Sequence, residues 1–328
     1  MKTKKKSRLT NDFSKPIDDC FHKISFREIK ILWNIFSDVL FAKSDFVRAK
    51  FLQDGLHYSE ITDFLAALGF LRLTKNQIGK IGHLGKTDDD IKSALVLRLL
   101  ASSTRYRPHV NAFLGNFQNF DGRFQILMDS ERRHKFGGLR NWLLDFEFLD
   151  HDLGRPSYWV SLQYLSAFLE AKSNFSKSPQ ELHDILLARE KLGHDAEIEV
   201  LKFEMSRLRD YPGLVTRIKH IATKNVSAGY DVFSLTETAN GGEFSDRLIE
   251  VKAVSASDYK FYWSRNEIET VRLHGTNYYL YLVPVLKNGF DMKKLKILQN
   301  PFKNVYSDDR CWQRQEEVVS FTSLHFHE

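Results

Sequence analysis

From Phe26 the apolar positions Ile29, Leu32, Trp33, Phe36 and Leu40 recur at spacings of three and four, the period of a helix with one buried face. A second helix is expected over 44–52. A third follows Ser59, with Ile61, Phe64, Leu65 and Leu68 as its apolar stripe. FLRLTKNQIGKI (70–81) then switches to alternation around Lys75-Asn76, the pattern of a small hairpin. Three helices and a hairpin spell a winged helix. The same frame returns about 80 residues later, where FLAALGFLRL (64–73) lies over WLLDFEFLDH (142–151) and GRPSYWV supplies the second arm of a hairpin. Between the copies, 88–101 reads as a helix capped near Thr87. Residues 20–172 are therefore expected to form a mostly helical tandem winged-helix-like region, and the polar KSNFSKSPQEL places a linker over 173–182.

The remainder, 183–328, alternates differently. Residues 181–210 are helical, with Leu192, Ala196, Val200, Phe203 and Leu208 on one face and Glu197 bordering it. Strands are expected at 216–222, GYDVFSL (229–235), RLIEVKAV (247–254), DYKFYW (258–263) and NYYLYLVPV (277–285), with a helix starting at Ser264. The order gives an α/β domain with a mixed sheet, so the whole chain reads as α+β followed by α/β. Ser264 and Glu267, three apart at that helix start, form a capping box.

Asn240-Gly241 is a strong hairpin signal. A two-residue turn there sets Ala239 opposite Gly242, and counting outward sets Asp231 opposite Glu250. Residues two apart share a strand face, so Lys252 joins both acids. Two carboxylates about 4 Å apart repel by about 4 kcal/mol at an effective dielectric near 20. A proton, Lys252 or a divalent cation would each offset that repulsion. The neighbours on this face are Leu248 and Val254, and Ile249, Val251 and Ala253 fill the other, so both faces are apolar and the charged pair points to a cleft.

With 42% hydrophobic and 27% charged residues in 328, the chain can bury a core in two domains. No apolar stretch reaches the length of a membrane span, and the basic start MKTKKKSRLTNDFSK lacks the apolar core of a signal peptide. Cys20 and Cys311 lack metal or disulfide spacing. A cytoplasmic protein with no membrane partner is expected. The net charge of +6 favours an anionic partner, and residues 1–19, with Lys2, Lys4, Lys5, Lys6 and Arg8, read as a basic disordered arm. Lys75 and Arg155, in the two hairpins, are weak candidates for nucleic-acid contact, although the recognition-helix candidate YSEITDFLAAL is poor in basic side chains.

GHDAEIEVLKFEMSRL, SAGYDVFSL, LIEVKAV, FYWSRNEIE and YYLYLV, in that order over about residues 188–286, resemble the C-terminal domain named after the plant NO VEIN protein. That family is placed among PD-(D/E)XK nuclease-like folds. The resemblance implies a phosphodiesterase core in which Asp231 and Glu250 hold Mg²⁺ or Mn²⁺ and Lys252 is the charge beside the attacking water. It also implies Glu197 as the acid from the first helix, although Ala196 stands where the family usually has glycine. Asn266 is a weak candidate for substrate contact, and His194 reads as a surface helix residue. The expected function is a metal-dependent DNA endonuclease of restriction or phage defence, with RNA also open as substrate. A double-strand cutter would be a symmetric dimer. The alternatives are a non-catalytic DNA-binding protein and an adaptor licensed by a helicase or methyltransferase.

Overall fold

The computed structural model describes residues 17–314, apart from 38, 102, 121–122, 176–177, 239–241 and 257. The basic arm up to residue 16 and the turn Ala239–Gly241 lie outside the described residues; Ile17, which that arm included, already opens a helix. The chain forms two compact units, Met1–Arg189 and Glu190–Glu328.

The N-terminal unit begins with α1 (Ile17–His22) and α2 (Phe26–Ile35). There follow β1 (Phe41–Lys43), α3 (Ser44–Gln53), α4 (Tyr58–Ala67), β2 (Leu71–Leu73) and β3 (Gln77–Lys80). The three strands are antiparallel in the order β1-β3-β2, so the first strand pairs with the last. After α5 (Asp88–Ala101), whose Asp90 N–H donates to the Thr87 hydroxyl at 3.1 Å, come α6 (Arg107–Leu114), β4 (Gln118–Phe120), β5 (Arg123–Leu127), α7 (Ser130–Asp145), β6 (Leu149–His151) and β7 (Ser157–Val160). Here the sheet runs β4-β5-β7-β6. Apart from the added β4, a strand, a helical segment and a hairpin recur with the same pairing.

The repeat holds down to single hydrogen bonds. Phe70 N–H donates to the Leu65 carbonyl at 2.9 Å, and at the equivalent place Phe148 N–H donates to Leu143 at 2.9 Å. Between helix and strand Gly69 has φ 79° and Glu147 φ 60°, because both helices end in a left-handed residue that turns the chain into the strand. α7 stands where the first copy has two helices, and it breaks at Phe136 (φ −129°). The N–H groups of Gly138 and Leu139 beyond the break donate to the Asp18 carboxylate of α1 at 2.7 and 3.0 Å, so an acid distant in sequence caps the second half of α7. Burial opposes the Asp18 charge, but His109 and these two donors hold its carboxyl below the usual range.

Phe64 and Trp142, equivalent in the two copies, touch edge to face at 5.6 Å between ring centroids, and Phe21 and Tyr106 pack on both or one of them. Trp142→Ala is expected to destabilise this unit by about 3–5 kcal/mol, measured as a lower urea midpoint, because the ring is 2% exposed and leaves a cavity at the meeting of both copies.

The unit closes with α8 (Leu165–Ser173), and α9 (Pro179–Arg207) follows. The division between units falls after Arg189, inside α9, and not in the polar segment 173–182. The reason is that Ile185 and Ala188 on the early turns of α9 are buried in the N-terminal core.

In the C-terminal unit α9 is followed by α10 (Pro212–Val215), β8 (Lys219–His220), β9 (Val232–Glu237), β10 (Phe244–Ser255), α11 (Arg265–His274), β11 (Tyr278–Leu286), β12 (Gly289–Phe290) and β13 (Lys296–Gln299). The sheet runs β12-β11-β10-β9-β8, with β13 also on β11. β10 and β11 are parallel and the other pairs antiparallel, a mixed sheet. On one face Ala196 and Val200 of α9 pack on Ile249, Val251, Tyr281 and Val283. On the other Val271 of α11 packs on Leu248 and Tyr278.

Glu204, fully buried, ties the end of α9 to the sheet: it accepts from Tyr281 Oη at 2.6 Å, Ser234 Oγ at 2.7 Å and Arg207 Nη2 at 2.6 Å. Burial works against its charge, but Arg207 beside it and these donors outweigh that effect and hold its carboxyl below the usual range.

Two expectations are corrected. DYKFYW forms no strand: Tyr259, Phe261 and Trp263 do alternate inward onto Val254 and Leu282, but Tyr259 has φ 51°, which a strand does not admit. The strand expected over 216–222 shortens to Lys219–His220.

Candidate active site

β9 and β10 pair from Glu237 with Phe244 to Val232 with Ile249, the register that sets Asp231 opposite Glu250. At Asp231 the ladder bends. Its N–H donates to the Ile249 carbonyl at 2.9 Å, and its Oδ2 accepts from the Val251 N–H at 2.8 Å, so the side chain replaces the next rung. Gly229, just before it, has φ 74°, and a Cβ there would lie 2.2 Å from Thr270 Oγ1 of α11. Its carbonyl accepts from the buried Tyr278 Oη at 2.6 Å. Only glycine lets α11 approach this turn so closely.

Glu250, 3% exposed, meets Lys252 Nζ at 2.6 Å through Oε1 and Tyr278 Oη at 3.4 Å through Oε2. Lys252 Nζ also donates to both oxygens of Glu267 at 3.2 Å. Glu267 is the acid of the expected capping box: its Oε2 accepts from Ser264 N–H at 2.8 Å and its own N–H donates to Ser264 Oγ at 3.3 Å. It thus has two tasks, one at its helix start and one at Lys252. Asp231, Glu250 and Glu267 line a cavity of about 280 Å³ together with Asn225, Ser264 and Asn266. Asn266 donates to the Ser227 carbonyl at 3.4 Å at this cavity wall.

Burial pushes the Asp231 carboxyl up to about 6, against the Val251 N–H, which favours its charge, and with Glu197 and Glu267 adding repulsion. Burial likewise drives Glu250 well above the usual carboxylate range, with Lys252 pulling the other way. Burial works against charge on Lys252, yet Glu250 and Glu267 outweigh it and raise its affinity for the proton above that of an ordinary lysine. One ammonium faces three carboxyl groups, so the cluster holds an excess of acid that a proton or a cation offsets.

The structure therefore brings Asp231, Glu250 and Asn266 around one cavity, holds Lys252 behind it on Glu250, and adds Glu267, for which the strand pattern gives no signal. Glu197 does not line it: this residue meets His220 Nε2 at 2.5 Å, with His194 Nδ1 at 4.0 Å. Lys75 and Arg155 are exposed in the β2–β3 and β6–β7 turns of the N-terminal unit.

A mixed sheet between helices, with a bend aspartate, an acid and a lysine two apart on the next strand, defines an acidic cleft in an α/β domain. Residues 184–297 match the family model described as Protein NO VEIN, C-terminal. No curated protein and no solved structure matches the chain. No described helix is long and apolar enough to cross a membrane, and Cys20 and Cys311 are both free thiols.

Proposed function

We propose that the C-terminal unit is a PD-(D/E)XK-like, metal-dependent phosphodiesterase that cuts DNA. The observation that carries this reading is that Asp231 and Glu250 line one cavity, with Lys252 ion-paired to Glu250, in a segment that matches the NO VEIN C-terminal family. The excess of carboxylate oxygen fits a hard divalent ion such as Mg²⁺ or Mn²⁺, which Asp231 and Glu250 would hold. When bound, such an ion lowers the pKa of a water and draws charge from the scissile phosphate.

The chain's own residues supply the rest. Lys252 keeps its proton under the pull of Glu250 and Glu267, so it acts as a donor: it orients the attacking water or meets the charge that builds on the phosphate oxygens. Glu267 holds the ammonium in place, and Asn266 stands at the wall where a sugar or phosphate would pass.

In the N-terminal unit, the order strand, helices, hairpin, with the first strand paired to the last in both copies, supports the tandem winged-helix reading, in which Lys75 and Arg155 sit on the hairpin turns that would approach a DNA backbone. A role in restriction or phage defence, and a dimer for double-strand cutting, belong to the same proposal.

Plasmid and phage DNA incubated with the protein and Mg²⁺ or Mn²⁺ are expected to be cut, with RNA as a parallel substrate, and Asp231→Ala is expected to cut at least about 100-fold more slowly. Absence of cleavage under both metals overturns the reading. The engagement of Lys252 by two carboxylates favours one second reading, a domain that holds nucleic acid without cutting it, alone or as an adaptor beside a helicase or methyltransferase. Gel-shift binding that survives EDTA, with no cleavage, would select it.

A further inference from the structure

We propose a second metal site, formed by His194, Glu197 and His220, that takes a transition-series divalent ion such as Zn²⁺ or Co²⁺. It goes beyond phosphodiester cleavage and stands whether or not the domain cuts DNA.

His194 and Glu197 are three apart on α9 and so share a face of that helix. His220 comes from β8 and presents its ring to the same place: its Nε2 is 2.5 Å from Glu197 Oε2, and its ring stacks on that of His194 at 5.4 Å between centroids. One donor atom from each residue lies within 4.8 Å of the others. Ligands on one ion at bonds of about 2.1 Å sit roughly 3 Å apart, so a side-chain rotation of His194, which is half exposed, closes the set. Glu197 and His220 already meet and need only a small opening from their 2.5 Å hydrogen bond to share an ion. Their side chains are 15% and 14% exposed, β8 is hydrogen-bonded to β9, and the Glu204 network anchors α9.

Two imidazoles and one carboxylate make a donor set for Zn²⁺, Co²⁺ or Ni²⁺, unlike the all-oxygen acids of the other cavity. Three protein ligands leave a coordination position for water, which suits an open site. The two donor sets approach the sheet from different faces, although Glu197 is near enough to oppose the charge of Asp231. His220 pairs with Val232, and Val232 with Ile249, whose side chain packs with α9, whereas Glu250 and Lys252 alternate to the face of α11. The competing arrangement is a carboxylate–histidine hydrogen bond between Glu197 and His220 with His194 lying nearby and no ion.

The full chain, stripped with EDTA and dialysed, is titrated with Zn²⁺ by calorimetry and with Co²⁺ by visible absorption. The native protein is expected to bind Zn²⁺ and to give an imidazole-ligated Co²⁺ spectrum, which the all-oxygen acids of the other cavity cannot produce. His220→Ala and His194→Ala are each expected to weaken Zn²⁺ binding by about 100-fold and to lose that spectrum. His194 is exposed on a helix, so its variant tests the site without burdening the fold. An unchanged Co²⁺ spectrum in either histidine variant, or no imidazole-ligated spectrum from the native protein, overturns the site. Loss of DNA cleavage plays no part in this test, so the two proposals fail separately.

Discussion

Lys252→Ala is expected to remove metal-dependent cleavage and to lower stability at pH 8 by about 3–5 kcal/mol. Lys252 Nζ lies 2.6 Å from a carboxylate that is 3% exposed and 3.2 Å from both oxygens of a second. Truncation leaves Glu250 and Glu267 facing Asp231 with no cation, and a buried charge without its partner costs far more than an exposed one. The loss shrinks on acidification, because Glu250, already raised by burial, takes up a proton when its counter-ion is gone. Urea unfolding at pH 5 and pH 8 measures both effects, and plasmid cleavage well below the unfolding midpoint separates activity from folding. Cleavage at the native rate would reduce Lys252 to a structural ion-pair partner. Equal destabilisation at both pH values would refute its role as the main counter-charge.

Asp231→Asn is expected to abolish cleavage while making the metal-free protein more stable. The folded carboxyl titrates near 6 and the unfolded one near 3.8, so between these values the native state binds more protons than the unfolded state. Stability from this group is therefore fully present below about pH 4 and is lost as pH rises through 6, by about 3 kcal/mol in all. Asparagine keeps an oxygen for the Val251 N–H and cannot ionise, so it escapes that loss. The variant should match the native protein at pH 4 and exceed it by about 3 kcal/mol at pH 8. Added Mg²⁺ should narrow the gap by stabilising only the native protein. Parallel pH profiles for the two proteins would rule out the buried, repelled aspartate.

The register of β9 on β10 was legible because two local signals agree: period-two alternation on both strands and turn chemistry between them. The capping box of α11 and the repeated helix-to-strand corner were legible for the same reason, each being decided within a few residues. Ala196, the residue before Glu197, is fully buried against the sheet and is small enough for close approach of α9. The pattern misled at DYKFYW, where alternate rings are buried without a neighbouring strand to pair with. It was silent on β12 and β13, which at two and four residues are too short to show a period.

The sequence by itself determined the main helices and hairpins, the pairing of Asp231 with Glu250 and Lys252, and the repeat in the N-terminal unit, since each follows from neighbours along the chain or from one hairpin. Tertiary structure alone decided that Glu267 clasps Lys252, because the parallel pairing of β10 with β11 requires a crossover and that crossover carries α11 back over the same face. It alone also turned Glu197 toward His220 and His194: helix spacing joins two of the three, but only the packing of α9 on the sheet beside β8 brings the third.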